Sequence, residues 1–273
     1  MRIGYQGESY SYSHRATVEL FPEGEAVGLP TFVACFAALE AGLVERLVLP
    51  VENSTTGSVL PVLDRLPGNA DHQPISIVAE HLVEVRHALL GIPGAAIESL
   101  KAVKSHSQAL AQAEERLLEL GVEEIPRPDT AGAVREVAAE GDPTVAALAP
   151  PEAGPPHGLE VLKRNVLDRD HNTTRFVVLA VGEPRVDPDD DKTTVVFTTA
   201  HSPGALALAL TELGLRGANL TRIESRPSNE AWSYRFFVDF EHEPGPEGLK
   251  RVIEPQPGTL AHLQVLGSYR AAR

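Results

Sequence analysis

The chain has 273 residues, 24 Lys and Arg against 38 Asp and Glu, a formal net charge of −14, and 42% hydrophobic residues. That length buries a real core in one large domain or two ordinary ones, the composition excludes disordered and fibrous classes, and the acidic balance argues against general nucleic-acid binding, which needs a basic stripe to displace phosphate counterions. The lone Cys35 excludes a disulfide framework or CxxC pair, and with no apolar run of roughly 20 residues and no apolar stretch after Met1-Arg2-Ile3-Gly4, neither a membrane span nor a signal peptide is expected. The expectation is a cytoplasmic protein that handles small molecules.

In chain order, Thr31 caps an apolar helix through Leu39 that stops near Gly42. Arg46 to Leu49 and Pro74 to Val78 read as buried strands. Ser105 or Ser107 caps a helix to about Leu120, closed by Gly121. Thr130 begins another ending near Gly141, followed by strands over Thr144–Leu148 and Phe176–Val181. Strands alternating with helices imply an α/β domain with a mainly parallel sheet. One domain, or two lobes around a cleft, both satisfy this periodicity.

Charge divides unevenly. Residues 1–191 carry 15 Lys and Arg against 30 Asp and Glu, whereas residues 192–273 carry 9 against 8. The step falls at Glu183-Pro184-Arg185-Val186-Asp187-Pro188-Asp189-Asp190-Asp191, which cannot bury apolar surface and repels itself, so residues 183–191 read as an acidic linker; an acidic surface loop is the alternative. Beyond it, a strand over Thr194–Thr198 leads to a helix capped by Ser202 and running from Pro203 to Gly214. Strands over Asn219–Glu224 and Trp232–Phe240, a helix over Pro246–Val252 and a strand over His262–Leu266 complete a ferredoxin-like βαββαβ unit, for which a dimer is plausible.

The sequence contains no GxGxxG, GxxxxGK[ST], GxSxG or HExxH, so dinucleotide, P-loop, serine-hydrolase and zincin chemistries lack support. The ten histidines show no metal-ligand spacing, and His81 and His87 read as structural. No metal or organic cofactor is expected. Three polar clusters stand out. Pro50 to Val59 follows a strand and reads as an anion-holding turn or an ordinary capped one. Ser105 and Gln108 open a helix with Gln112 one turn on, on the same face. His171-Asn172-Thr173-Thr174-Arg175-Phe176 leads into the last apolar strand, where an arginine is usually a salt-bridge partner.

Together these clusters resemble the prephenate dehydratase family with its C-terminal regulatory ACT domain. Asn172-Thr173-Thr174-Arg175-Phe176 is similar to the family's Thr-Arg-Phe signature, Pro50-Val51-Glu52-Asn53-Ser54 to Pro-Ile-Glu-Asn-Ser, and Ser105-His106-Ser107-Gln108 to Ser-His-Pro-Gln. Asp129-Thr130-Ala131-Gly132-Ala133 matches a further family segment, while Gly204-Ala205-Leu206 and Glu224-Ser225-Arg226-Pro227 match the two phenylalanine-binding motifs of its ACT domain. The opening Gly4 to His14 is longer than the usual Gly-Thr-Phe-Ser, with Ser13 as the equivalent serine. The run from Ala149 to Pro156 replaces an Ala/Ser-rich helix start.

The resemblance implies a two-lobed catalytic domain of periplasmic-binding-protein type over 1–182, its lobes roughly 1–76 with 160–182 and 77–159, and an ACT domain over 192–273. It implies conversion of prephenate to phenylpyruvate, carbon dioxide and water, regulation by L-phenylalanine, and a homodimer or homotetramer. Arogenate dehydratase and a non-catalytic amino-acid sensor are the alternatives. Thr174 would donate the proton to the departing hydroxyl, with Glu52, Asn53, Ser105 and Gln112 as further catalytic groups. Arg175, Thr173, Ser54, Gln108 and Ser13 would bind substrate. Gly204, Ala205, Leu206, Asn219, Glu224 and Ser225 would bind the effector, and Arg226 would do so or hold its strand in place.

Overall fold

The computed structural model describes residues 1–68, 73–169, 171–228 and 232–273. The chain begins with β1 (Arg2–Gln6), α1 (Tyr12–Leu20), β2 (Glu25–Leu29), α2 (Phe32–Glu40), β3 (Arg46–Asn53), β4 (Gly57–Ser58), α3 (Leu60–Leu63) and β5 (Ile75–Glu84). It crosses into β6 (Ala88–Gly91), β7 (Ala102–His106), α4 (Ser107–Ala111), α5 (Glu114–Leu120), β8 (Glu123–Arg127), α6 (Thr130–Glu140), β9 (Val145–Ala149) and β10 (Glu160–Lys163), then returns as β11 (Thr173–Val181). The last third forms β12 (Lys192–Thr199), α7 (Ala205–Leu215), β13 (Asn219–Pro227), β14 (Tyr234–Glu241), α8 (Pro246–Ile253) and β15 (Leu260–Tyr269).

Two sheets make two lobes. One carries β2-β1-β3-β11-β5, the other β10-β6-β9-β7-β8. The chain passes between them after β5 and again after β10, so β5 belongs to the first lobe and β10 to the second, which moves the lobe boundaries from those expected. The sheets are mixed, not mainly parallel: β1 runs parallel to β2 and β3, but β11 is antiparallel to both β3 and β5. The second crossing sends the chain back reversed, which alternation of elements alone does not reveal.

Local chemistry accounts for most boundaries. The Thr31 hydroxyl accepts the Ala34 N–H at 3.1 Å and starts α2, and Gly121 and Gly141 end α5 and α6 in the left-handed conformation that glycine adopts without a Cβ penalty. Two expected helix starts need correction. His106, neither Ser105 nor Ser107, caps α4, and the helix breaks at Gln112-Ala113 before α5. Gly204 precedes α7 with no side-chain cap, so Ser202 does not play that part. The turn after β3 leads to β4 and then to the single helical turn of α3. Pro151–Ala153 and Pro155–His157 form two 3₁₀ turns, consistent with prolines that cannot sustain an α-helix.

The last third has the expected βαββαβ order, its sheet running β13-β14-β12-β15. It is joined to the first lobe: β15 pairs with β5 at Gly267 and Ile77, extending one sheet to ten strands. A Cβ on Gly267 would stand 2.2 Å from the Ile77 carbonyl oxygen, so only glycine permits this approach. Phe237, Leu266 and Tyr269 share a core with Leu63, Leu66, Val177 and Leu179 of the first lobe. The 183–191 segment is anchored at its end, where Asp190 is buried and the Asp191 carboxylate accepts the Ala271 N–H at 2.7 Å. Among the described residues no helix is long and apolar enough to cross a membrane.

Candidate active site

A cavity of about 470 Å³ lies between the lobes. The first lobe contributes the Gln6–Ser13 turn and start of α1, the end of β3, and Thr174 and Phe176 of β11. The second contributes His106, Gln108 and Gln112 around α4, and Asp129 to Ala131 at the start of α6. Val85 and His87 line it from the crossing.

Strand alternation decides which signature residues reach this space. Thr174 and Asn53 are cross-strand partners and both line it. Their neighbours Arg175 and Glu52, also partners, point to the opposite face, where Arg175 Nε lies 3.2 Å from Glu52 Oε2. Arg175 is thus removed from the expected substrate contacts: its guanidinium donates to Glu80 at 3.0 Å and to Asp239 of β14. Burial works against its positive charge, but Asp239, Tyr269, Glu80 and Glu52 together hold its pKa up.

Other expected residues are also placed elsewhere. Ser105 is fully buried in β7 and donates its hydroxyl to the Leu148 carbonyl at 2.5 Å, as a strand residue facing the lobe interior does. Ser54 Oγ accepts the Thr173 N–H at 2.9 Å, so these two fasten the strand end; neither lines the cavity. Ser13, Gln108 and Gln112 do line it. In the last third, Glu224 accepts a hydrogen bond from Ser58 at 2.6 Å and Arg226 forks onto Asp64 at 2.9 and 2.7 Å, both of the first lobe. Arg226 therefore holds its strand in place. Asn219 donates to Glu241 at 3.1 Å, Ser225 is exposed on β13, and Gly204, Ala205 and Leu206 form the start of α7.

The amides around Thr174 have one consistent orientation. Asn53 Oδ1 accepts the backbone N–H groups of Thr55 and Thr56 at 3.0 and 3.1 Å, which no amide NH₂ group could do. Asn53 Nδ2 therefore donates, to Asn172 Oδ1 at 2.7 Å and to Thr174 Oγ1 at 2.9 Å. Asn172 Nδ2 in turn donates to Gln112 Oε1 at 2.9 Å, and Gln112 Nε2 to Thr55 Oγ1 at 3.1 Å. Thr174 Oγ1 is consequently an acceptor toward Asn53, and its own proton is free to face the cavity. Gln112 ties the second lobe to the first at the same place.

Sequence reasoning missed His87, Tyr12 and His106 as cavity residues. Tyr12 donates to the Arg86 carbonyl at 2.7 Å and lies 3.3 Å from His87 Nδ1. Burial pulls the His87 imidazole down to about 4, opposed by a hydrogen bond with Gln112, so the ring is neutral at pH 7. His87 was legible only as one of ten scattered histidines, because it lies past the end of β5 in the crossing, where no periodicity operates. No lysine or arginine lines the cavity among the described residues. The starts of α1 and α6, one from each lobe, border it. The His14 N–H is taken by Ser11 Oγ and the Gly132 N–H by Asp129 Oδ1, and the remaining first-turn N–H groups carry the partial positive charge of a helix start. Across the mouth, Arg135 of α6 pairs with Glu8 of the first lobe. No cluster of potential metal ligands occurs among the described residues.

A family model described as prephenate dehydratase matches residues 3–184. "Arogenate dehydratase/prephenate dehydratase 1, chloroplastic" of Arabidopsis thaliana is 36% identical over 286 aligned positions, covering 98% of this chain and 72% of the relative. A "Bifunctional N-acyl-homoserine lactone acylase/prephenate dehydratase" of Komagataeibacter europaeus is 34% identical, with 99% and 96% covered. Among solved structures, the prephenate dehydratase of Arthrobacter aurescens in complex with L-Phe superposes with a TM-score of 0.83 at 26% identity, covering 99% of this chain and 90% of that one.

Proposed function

The chain belongs to the prephenate dehydratase family, and from that premise we propose that it converts prephenate to phenylpyruvate, carbon dioxide and water under the control of phenylalanine. The observation that carries the reading is the orientation of Thr174: Asn53 Nδ2 donates to its Oγ1 at 2.9 Å, so the hydroxyl proton is left for a group in the cleft. Prephenate loses its ring carboxyl group as carbon dioxide. The electron pair of the broken C–C bond moves into the ring, and the C–O bond to the ring hydroxyl breaks as the ring becomes aromatic. The leaving hydroxide takes the Thr174 proton to depart as water, and solvent returns a proton to Thr174. A hydrogen bond received by an alcohol oxygen makes its own proton a better donor, and such general-acid help is worth about 10²–10⁴-fold.

The two substrate carboxylates meet neutral donors in this reading: helix-start N–H groups of α1 and α6, with Ser13, Gln108 and Gln112 at the walls. Distant acidic surface charges are screened over about 8 Å, and of the two carboxylates that line the cavity among the described residues, Asp129 is turned onto the Gly132 N–H and Glu8 onto Arg135, which offsets their charge. We assign residues 1–182 to catalysis, and 192–273 to an ACT-type regulatory domain, in a cytoplasmic homo-oligomer. The L-Phe complex of the Arthrobacter aurescens relative supports the choice of effector.

Arogenate is the second reading, favoured by the names of the plant relatives; it carries an amino group where prephenate has a keto oxygen. The test is to incubate the full chain with each substrate, reading phenylpyruvate by its absorbance in alkali and phenylalanine by amino-acid analysis, with and without added L-phenylalanine. Phenylpyruvate formation at a higher kcat/KM than phenylalanine formation is expected. No turnover of either substrate overturns the reading.

A further inference from the structure

We infer that Asp239, in the last third of the chain, is a positioning residue for the Thr174 hydroxyl, acting through Arg175. The inference rests on the assignment of Thr174 as the proton donor. Thr174 and Arg175 are consecutive, so any force that fixes the Arg175 side chain also fixes the peptide that carries Thr174. Their partners on β3 are likewise consecutive, Thr174 facing Asn53 and Arg175 facing Glu52. The register of β11 on β3 shifts immediately after Arg175. The catalytic pair therefore sits beside a discontinuity in the β3 ladder, while the β5 ladder runs unbroken past Thr174 and Arg175, and the pair on the opposite face adds a side-chain constraint on the β3 side.

That face is closed by charges from the last third. Asp239 is fully buried, bonds Arg175 through Oδ2 and accepts the Thr194 hydroxyl at 2.7 Å through Oδ1. Glu80 accepts from Arg175 at 3.0 Å and from Lys192 of β12 at 2.9 Å. Arg222 of β13 donates to Ser58 Oγ at 2.8 Å and stands 3.7 Å from Asp239 and 3.9 Å from Glu52. Three cations and three carboxylates thus balance, and only Glu52 among them is substantially exposed. Burial alone would raise the Asp239 pKa, yet Arg175, Arg222 and Thr194 hold it below the usual carboxylate range. The three consequences are that Arg175 has one well-defined position, that this position depends on a residue outside the two lobes, and that the lobes alone do not complete the site.

The test uses the full chain. Asp239→Asn is expected to lower kcat about 10-fold with KM changed less than twofold, because the cavity wall is untouched. In a Thr174→Ala background the same substitution is expected to cost less than twofold, since the hydroxyl it positions is already gone. Thr194→Val, which releases Asp239 without removing charge, tests the same point if Asp239→Asn does not fold, with an expected loss of about threefold in kcat that also vanishes in the Thr174→Ala background. Equal losses in both backgrounds, or an unchanged kcat beside an impaired Thr174→Ala, overturn the inference and leave the function intact. A fully active Thr174→Ala overturns the functional reading, and the inference with it.

Discussion

Thr174 and Arg175 leave β11 on opposite faces, the first into the cleft beside Asn53 and the second into a buried cluster with Asp239 and Glu80. One dipeptide thus serves two environments. A hydroxyl with a free proton faces substrate space, while the adjacent guanidinium is spent on joining the first lobe to the last third of the chain.

Thr174→Ala is expected to lower kcat by about 10²–10⁴-fold while the circular dichroism spectrum stays unchanged and stability falls by only about 1 kcal/mol, the loss of the one hydrogen bond from Asn53. Thr174→Ser keeps the hydroxyl and should retain activity within about tenfold. The measurement is initial-rate kinetics of phenylpyruvate formation.

Arg175→Met is expected to act on stability first. It leaves Asp239 and Glu80 short of a cation in a buried setting, a loss of about 3–5 kcal/mol. Arg175→Lys keeps the charge but loses the fork that reaches several carboxylates at once, and should fall between Met and wild type. Urea denaturation gives the ordering. A rise in KM without loss of stability would instead return Arg175 to the cleft.

Gln112→Leu deprives Asn172 Nδ2 of its acceptor and Thr55 of a donor across the lobes. Stranding such groups costs about 1–3 kcal/mol. The lobes should close less completely, raising KM and lowering kcat, whereas Gln112→Glu, which keeps an acceptor for Asn172 but puts a negative charge at the wall of a cavity that takes a dianion, should raise KM further. Substrate titration of the three proteins checks this.

His87 ties stability to pH. Its pKa falls from an ordinary 6.5 to about 4 on folding, so between these values the unfolded chain binds more protons than the folded one. The neutral-ring stability is therefore fully present above pH 6.5 and is lost as pH falls toward 4. By pH 4.5 that loss is about 2–3 kcal/mol. Unfolding curves at pH 7 and pH 4.5 should show this slope in wild type, and His87→Gln, which has no titrating ring, should lack it.

Effector and substrate are expected to be coupled by about 1–3 kcal/mol, equally in both directions. Calorimetric titration of phenylalanine with and without a prephenate analogue measures it. Equal affinities in the two titrations would leave the last third without a regulatory part.

The alternating α/β order, the cap at Thr31, the start of a helix at Thr130, the βαββαβ order of the last third and the residues that carry the family resemblance were legible from the chain alone, because these depend on contacts within a few positions. The sequence also brought Thr174, Asn53, Gln108 and Gln112 forward as candidates. Which of them meet is set by how the strands and lobes pack. Whether a strand residue faces a cleft or a core is set by parity and by the elements packed on each face, and Arg175 stands one position from Thr174 yet belongs to the other face. The partners that withdraw it, Glu80 and Asp239, lie 95 and 64 residues away. His87 entered the site by the same route, since the bend of the crossing, not any local pattern, carries it to Gln112. Charge pairing between distant elements, and the path of the chain between two sheets, are properties of the assembled fold.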